Sequence, residues 1–237
     1  MTRAPQTGPA AMPDPDRTRR RPLLIGVTGP IGCGKSTISA ALASRGGVIV
    51  DADRLSHQAS GRGSTLVEAI GQRFGPAVIA ADGSLDRPAL GRIVFSDPAA
   101  LRALEAIVQP AVRVLIERAV ESADSASAPF VVVEAIKLVE AGYAAQCDEV
   151  WLVTCTLEEQ RLRLARRGYP ADEIERRIAA QGADLADRLR PSATRVIDAS
   201  GTPEQAVRRA LEALDAAIAA QAPARPSSKE GSPNPDS

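Results

Sequence analysis

The sequence predicts a three-layer α/β/α domain, a parallel sheet covered by helices on both faces. Three observations lead there. Leu23 to Thr28, Val48 to Val50, Phe130 to Val133 and Val150 to Val153 are short apolar runs without polar alternation, as strands buried on both faces require. Stretches with helical spacing separate them, the alternation that builds parallel sheets. The first run leads directly into Gly29-Pro-Ile-Gly-Cys-Gly-Lys-Ser-Thr37 and then a helical stretch, Ile38 to Ala43.

That loop fits G-x-x-x-x-G-K-[ST], with Gly29, Gly34, Lys35 and Ser36 at the fixed positions. Glycines let the backbone curl until successive N–H groups converge on one concavity, and the following helix adds its positive end to the same anion. Lys35 is predicted to reach the β- and γ-phosphates and Ser36 to ligate Mg²⁺. The chain therefore reads as a P-loop NTPase fold that binds a nucleoside triphosphate.

Composition narrows the function. The 237 residues suffice for one domain with an appendage or two small ones. Formal net charge is zero, so no global basic field points to nucleic acid or to a membrane surface. Lys35 is one of only three lysines, with Lys137 and Lys229. Cys33, Cys147 and Cys155 have no metal-ligand spacing and His57 stands alone, which argues against a disulfide framework or a zinc site and fits a cytoplasmic protein. A monomer or weak homo-oligomer is expected.

In chain order, residues 1–21 read as a disordered leader, and the domain spans 22–221. Strand one is Leu23 to Thr28; its helix runs from the loop to about Ser44, ended by Gly46-Gly47. Strand two ends at Asp51-Ala-Asp53, carboxylates expected to face the phosphate loop because ligands bind beyond the carboxyl ends of such strands. Leu55 to Phe74 is helical, interrupted at Gly61-Arg-Gly63. Asp86-Arg-Pro88 and Ser96-Asp97-Pro98 each open a further helix, the second long and expected to kink or break at Pro110. Three helices exceed one crossover, so about 54–122 reads as a helical substrate-binding insert. Ser122 to Ala128 reads as a loop. Strand three ends in Glu134, placed to help hold the Mg²⁺ shell. Strand four is Glu149 to Cys155, followed by helices Leu157 to Arg167 and Ala171 to Gln181. Strand five is Arg195 to Asp198, and Thr202-Pro203 opens the closing helix. Residues 222–237, rich in Pro and Ser, read as a disordered tail.

A phosphate loop alone does not separate kinases, GTPases and motor ATPases. No N-K-x-D guanine-reading motif occurs. Asp51 and Asp53 suit acceptance of a proton from an attacking hydroxyl. The helix pair within about 157–190 reads as a lid. Helical spacing puts Arg163 and Arg167 on its inward face, where they would neutralise charge on the transferred group. A small-molecule kinase follows. Alternatives are a nucleoside, nucleotide or shikimate-like acceptor, or a nucleotide-dependent regulatory protein using the Arg-rich segments.

Further motifs carry a resemblance: Val-Ile-Val-Asp-Ala-Asp53, Asp82-Gly-Ser-Leu-Asp-Arg87-Pro-Ala-Leu, Val94-Phe95-Ser-Asp-Pro, Leu104-Glu105-Ala-Ile-Val-Gln-Pro110, Arg177-Ile-Ala-Ala-Gln181 and Val196-Ile197. Together with the loop, and in this order and spacing, residues 23–216 resemble the dephospho-CoA kinases. The resemblance implies transfer of the γ-phosphate of ATP to the ribose 3′-hydroxyl of dephospho-CoA, the last step of coenzyme A synthesis. It places ATP on Gly32, Cys33, Gly34, Lys35, Ser36 and Thr37, with Arg167 on the lid. It makes Asp53 the base, beside Lys35 and Arg163 as catalytic groups. Arg87, Phe95, Gln109 and Pro110 fall on the CoA side. This chain departs from the family at Gln109 (usually His) and at His57 (commonly Arg). Ile136-Lys-Leu-Val-Glu140 replaces the usual Pro-Leu-Leu-x-Glu, and Asp198-Ala-Ser200 stands where an Asn follows Val-Ile.

Overall fold

A computed structural model of the chain describes residues 21–182 and 184–221; the leader up to residue 20 and the tail 222–237 lie outside it. Five parallel strands form one sheet in the order β2-β3-β1-β4-β5: β1 Leu23–Thr28, β2 Val48–Asp51, β3 Phe130–Glu134, β4 Glu149–Thr154 and β5 Arg195–Asp198. Because successive side chains alternate between faces, each apolar strand supplies two cores. Ile25, Val27, Val132, Trp151 and Val153 pack against α1 (Lys35–Ser44) and α9 (Pro203–Gln221). Leu24, Val131, Val133 and Val150 pack on the other face against Ile116 and Ala123. The three layers predicted from the sequence are present.

β1 lies centrally, between β3 and β4, so the loop leaving it opens where the strand order diverges, the usual ligand crevice of such sheets. The register sets Val27, Glu134 and Asp51 side by side across β1, β3 and β2. Arg21, counted with the leader in the sequence reading, is forked onto Asp148, whose carboxylate also accepts the Leu24 N–H at 2.8 Å.

Between β2 and β3 run α2 (Ala52–Ala59), α3 (Thr65–Phe74), α4 (Arg87–Val94) and α5 (Pro98–Ser125). Leu66 and Ile70 of α3, Leu90 and Val94 of α4, and Leu104 and Val108 of α5 form a separate apolar cluster beyond the sheet. Local caps set the starts: Asp51, Ser64, Asp86 and Asp97 each accept a backbone N–H of the first turn. Asp51 capping α2 means the helix starts at Ala52, earlier than the Leu55 the sequence reading took. Asp53 thus sits in a helical first turn and not on an open strand end. After β4 come α6 (Leu157–Arg166), α7 (Ala171–Gln181) and a short α8 (Leu185–Leu189) that periodicity did not reveal.

The expected break at Pro110 does not occur. α5 runs 28 residues through it and on to Ser125, so the segment read as a loop from Ser122 begins inside the helix. Apolar contacts on both sides of the proline, by Leu104, Ile107 and Val108 before it and Ala111 after, hold the helix across the missing N–H. Pro110 itself is exposed. Pro110→Ala restores one backbone hydrogen bond and removes a ring clash that together cost about 3 kcal/mol in a helix interior. Thermal denaturation should show Tm higher by roughly 6 to 12 °C. An unchanged or lower Tm would mean that the packing of α5 needs the proline.

Candidate active site

The site begins with the path of the phosphate loop. Gly29 has φ of +137°, and a Cβ there would lie 2.2 Å from the Val153 carbonyl oxygen of β4. Gly34, the residue before α1, has φ of +97°, in the region L side chains avoid. The chain can turn from β1 into α1 in so few residues only with glycine at these points. Among the described residues no intramolecular acceptor is found for the N–H groups of Gly32, Gly34, Lys35 and Ser36. They form the unsatisfied N-terminal end of a helix, the arrangement that holds phosphate.

The tip of the loop is fixed from outside. The Ile31 N–H donates to Gln181 Oε1 at 2.9 Å, and its carbonyl accepts from Gln160 Nε2 at 2.6 Å, so α7 and α6 each grip the same residue. Gln160 was not recognised in the sequence. Its burial between α6 and the loop is a tertiary fact that a lone Gln on a helix does not announce.

Lys35 is only 8% exposed. Its Nζ donates to the Gly29 and Pro30 carbonyls at 2.9 and 3.1 Å. Burial pushes its pKa down, Glu134, Cys33 and Asp53 pull it back up, and the Arg167 charge pushes it down again. Ser36 Oγ donates to Glu134 Oε1 at 2.9 Å, so the hydroxyl and carboxylate read from the sequence as metal-facing groups do meet. Thr37 is exposed on the next position of α1. Asp53 is raised above the ordinary carboxylate range, by partial burial first, then by Asp51, with Glu134 adding; Lys35 and His57 oppose this. Lys35, Glu134, Asp51 and Asp53 thus form one electrostatic unit at the carboxyl ends of three neighbouring strands.

Asp53 also lines a cavity of about 290 Å³ running under α5. Its walls are mostly aliphatic, including Leu66, Ile70, Leu90, Leu104, Val108 and Leu138. Polar side chains that line it include Ser60, Arg87, Glu105, Gln109, Arg113 and Lys137. Arg87 donates to Ser60 Oγ at 2.6 Å, Arg113 to the Ala141 carbonyl at 2.8 Å, and Lys137 is paired with Glu105. Of the acceptor-side residues taken from the resemblance, Asp53, Arg87 and Gln109 line this cavity. Phe95 and Pro110 do not: Phe95 is 82% exposed beyond the end of α4, and Pro110 points outward from α5. Arg113 and Lys137 were missed as lining residues; Arg113 lies on the long helix with no motif to mark it, and Lys137 stands in a loop where the family's usual motif is altered.

The two α6 arginines part company. Arg163 donates to the carbonyls of Cys33 at 3.2 Å and Ala199 at 2.6 Å, and lies 3.8 Å from Glu159. It ties α6 to the loop and to the end of β5, so its donors are directed at backbone. Arg167, capping α6, is exposed and near enough to Lys35 to depress its proton affinity. Arg161 pairs with Glu175 across the helix pair at 2.6 Å.

A parallel sheet with a phosphate loop on its central strand, and a cavity lined by a carboxylate that feels the loop's lysine, is the arrangement of a P-loop kinase. The comparisons with known proteins narrow the class. A family model described as dephospho-CoA kinase matches residues 23–205. The dephospho-CoA kinase of Symbiobacterium thermophilum is 48% identical over 180 residues, 76% of this chain and 74% of the relative. That of Geobacter sulfurreducens is 40% identical over 190 residues, 80% and 95% of the two chains. A crystal structure from Thermus thermophilus superposes with a TM-score of 0.70 at 38% identity, over 83% of this chain and 98% of its own. The chain belongs to the dephospho-CoA kinase family.

Proposed function

We propose that the protein transfers the γ-phosphate of ATP to the ribose 3′-hydroxyl of dephospho-CoA, giving coenzyme A and ADP. The observation that carries this reading is the position of Asp53, coupled to Lys35 on one side and lining the acceptor cavity on the other. Dephospho-CoA combines an adenosine, a pyrophosphate and a long, weakly polar arm. Aliphatic walls suit the arm, and the cations Arg87, Arg113 and Lys137 among the lining residues suit the pyrophosphate.

In this reading the N–H groups of Gly32, Gly34, Lys35 and Ser36 cradle the ATP phosphates, with Gly29, Cys33 and Thr37 shaping the loop. Lys35 balances charge on the γ-phosphate, and Asp53 accepts the proton of the attacking hydroxyl. Arg163 serves as a positioning residue that holds the loop, and Arg167 is the arginine that meets the transferred group as α6 and α7 act as a lid. Mg²⁺ fits the site because Ser36 and Glu134 already meet there, and this ion takes few protein oxygens beside phosphate and water. Ser36 and Glu134 would hold it, and when bound it would supply positive charge that offsets the charge of the phosphates. Among the described residues no helix is long and apolar enough to cross a membrane; a cytoplasmic enzyme working without nucleic acid is the setting we propose.

The test is ADP release from ATP with dephospho-CoA, shikimate, a nucleoside or no acceptor, with the product's phosphate located by NMR. The expected result is release that depends on dephospho-CoA and a phosphate on its 3′-oxygen. Equal release with and without acceptor would sink the kinase reading, and preference for another acceptor would sink this substrate.

A further inference from the structure

Cys33 and Cys155 are 122 residues apart in sequence, yet the Cys155 thiol donates to the Cys33 sulfur at 2.7 Å. Both are free thiols. β1 and β4 are hydrogen-bonded neighbours, with Thr28 opposite Leu152, so the segments leaving their carboxyl ends are held side by side. Cys33 lies in the phosphate loop that follows β1, and Cys155 stands between the end of β4 and Thr156, the N-cap of α6.

A buried cysteine often serves only as a small apolar filler, and both sulfurs do border the core beneath α1 and α9. Ordinary packing, however, leaves heavy atoms about 4 Å apart. This pair is well inside that, and a disulfide of about 2.05 Å needs a further closure of only roughly 0.7 Å. Gly32 and Gly34 flank Cys33, so the backbone on either side can take up a movement of that size. The hydrogen bond from Cys155 favours a thiolate at Cys33 most, burial opposes it, and the nearby charges of Lys35 and Arg163 add to the favourable side. Cys147 is the internal contrast. It packs on the opposite face of the sheet, its thiol donates to the Tyr143 carbonyl at 3.6 Å, and burial pushes its pKa up to about 12.

We propose that Cys33 and Cys155 are an oxidative modification site: a hydroperoxide converts them to a reversible disulfide that fastens the phosphate loop to the base of α6 and stops turnover. One thiolate of the pair attacks the peroxide O–O bond, becoming a sulfenic acid and releasing hydroxide, which leaves as water once protonated. The second sulfur displaces hydroxide from the sulfenic sulfur, so the S–S bond forms as the S–O bond breaks. The second thiol's proton makes the second water. Two thiols and one hydroperoxide become one disulfide and two waters (for hydrogen peroxide), and a dithiol reverses the change. Such bonds are typically transient and regulatory in reducing compartments. The consequence for turnover follows from position. The bond pulls on the residue between Gly32 and Gly34, whose N–H groups line the cradle, and a displacement near 1 Å in a reacting site can cost on the order of 10²-fold.

The experiment treats the full chain with hydrogen peroxide, blocks remaining thiols by alkylation, and follows intact mass, proteolytic peptides and ATP turnover together. The expected result is loss of two hydrogens, a linked pair of peptides containing Cys33 and Cys155, and turnover falling by the order of 10²-fold in step with the link. Dithiothreitol should restore it. Cys155→Ser, and Cys155→Ala as a second variant should serine disturb the fold, should keep basal turnover and retain it through the same exposure. Oxidation of the two sulfurs to separate acids, a link formed with turnover unchanged, or equal inactivation of both Cys155 variants would each overturn the proposal. Because the linked peptides are read by mass, failure of the acceptor assignment leaves this test intact.

Discussion

Lys35→Ala is expected to lower acceptor-dependent ADP release by roughly 10³-fold, the scale of removing one preorganised charge-stabilising group from a reacting centre. The size follows from the surroundings. At 8% exposure the ammonium acts where water screens little, and it is held on the Gly29 and Pro30 carbonyls beside the loop's N–H groups. No other lysine occurs between residues 1 and 136, and Arg167, at the end of α6, is exposed to solvent. The fold should survive. Burial is the main reason the Lys35 pKa falls, so its charge is held against a desolvation cost. Removing it offsets the two lost hydrogen bonds, and Tm should move by only a few degrees. The measurement pairs kcat with Tm, and with the Tm gain given by an ATP analogue. A variant that keeps its Tm and turns over within tenfold of the parent would remove Lys35 from the chemistry.

How much of this site the sequence discloses depends on how local each requirement is. The phosphate loop is legible because its demands fall within nine consecutive residues: glycine where φ is positive, lysine and serine at fixed steps behind it. The sheet is legible because strands covered on both faces cannot afford polar alternation. The acceptor side is less so. Its wall is built by α5, by the segment after β3 and by the short helices between, and the face that each residue presents depends on how these elements pack. Gln109 and Pro110 are adjacent, yet one lines the cavity and the other faces solvent. Arg113, one helical turn on from Gln109, returns to the cavity side. Phe95 follows a motif of the family but ends α4 on its outer surface. Pro110 misled for a related reason: its local cost is real, and tertiary contacts outweigh it. Arg163 and Arg167 share a helix face as spacing requires. Only the placement of Ala199 and Cys33 shows that the first is bound to backbone, whereas among the described residues the second is exposed at the end of α6.

Asp53→Asn should cut kcat by about 10² to 10⁴-fold, the range for loss of a positioned general base, with the ATP-analogue response largely kept. Its pH behaviour separates a base from a bystander. Partial burial, Asp51 and Glu134 lift the Asp53 carboxyl above its ordinary 3.8, so the ionised form that accepts a proton is reached at higher pH than for an ordinary aspartate. In the parent, kcat/KM should therefore fall on the acid side through that raised pKa, and the fall should vanish in Asp53→Asn. Asp51→Asn removes the second-largest cause of the lift and should move the limb to lower pH. It leaves the start of α2 intact, since an amide oxygen can still accept the Arg54 N–H now 2.9 Å from Asp51. Stability runs the other way from activity. A folded pKa above the unfolded one gives a contribution that is complete below the unfolded value and is lost as pH rises through the folded value. At neutral pH the ionised Asp53 is therefore a small cost to the fold, and Asp53→Asn should denature at an equal or slightly higher temperature while turning over far more slowly. An acid limb that persists unchanged in Asp53→Asn would assign the titration, and with it the proton, to another group. An unmoved limb in Asp51→Asn would show that the two carboxylates do not feel one another.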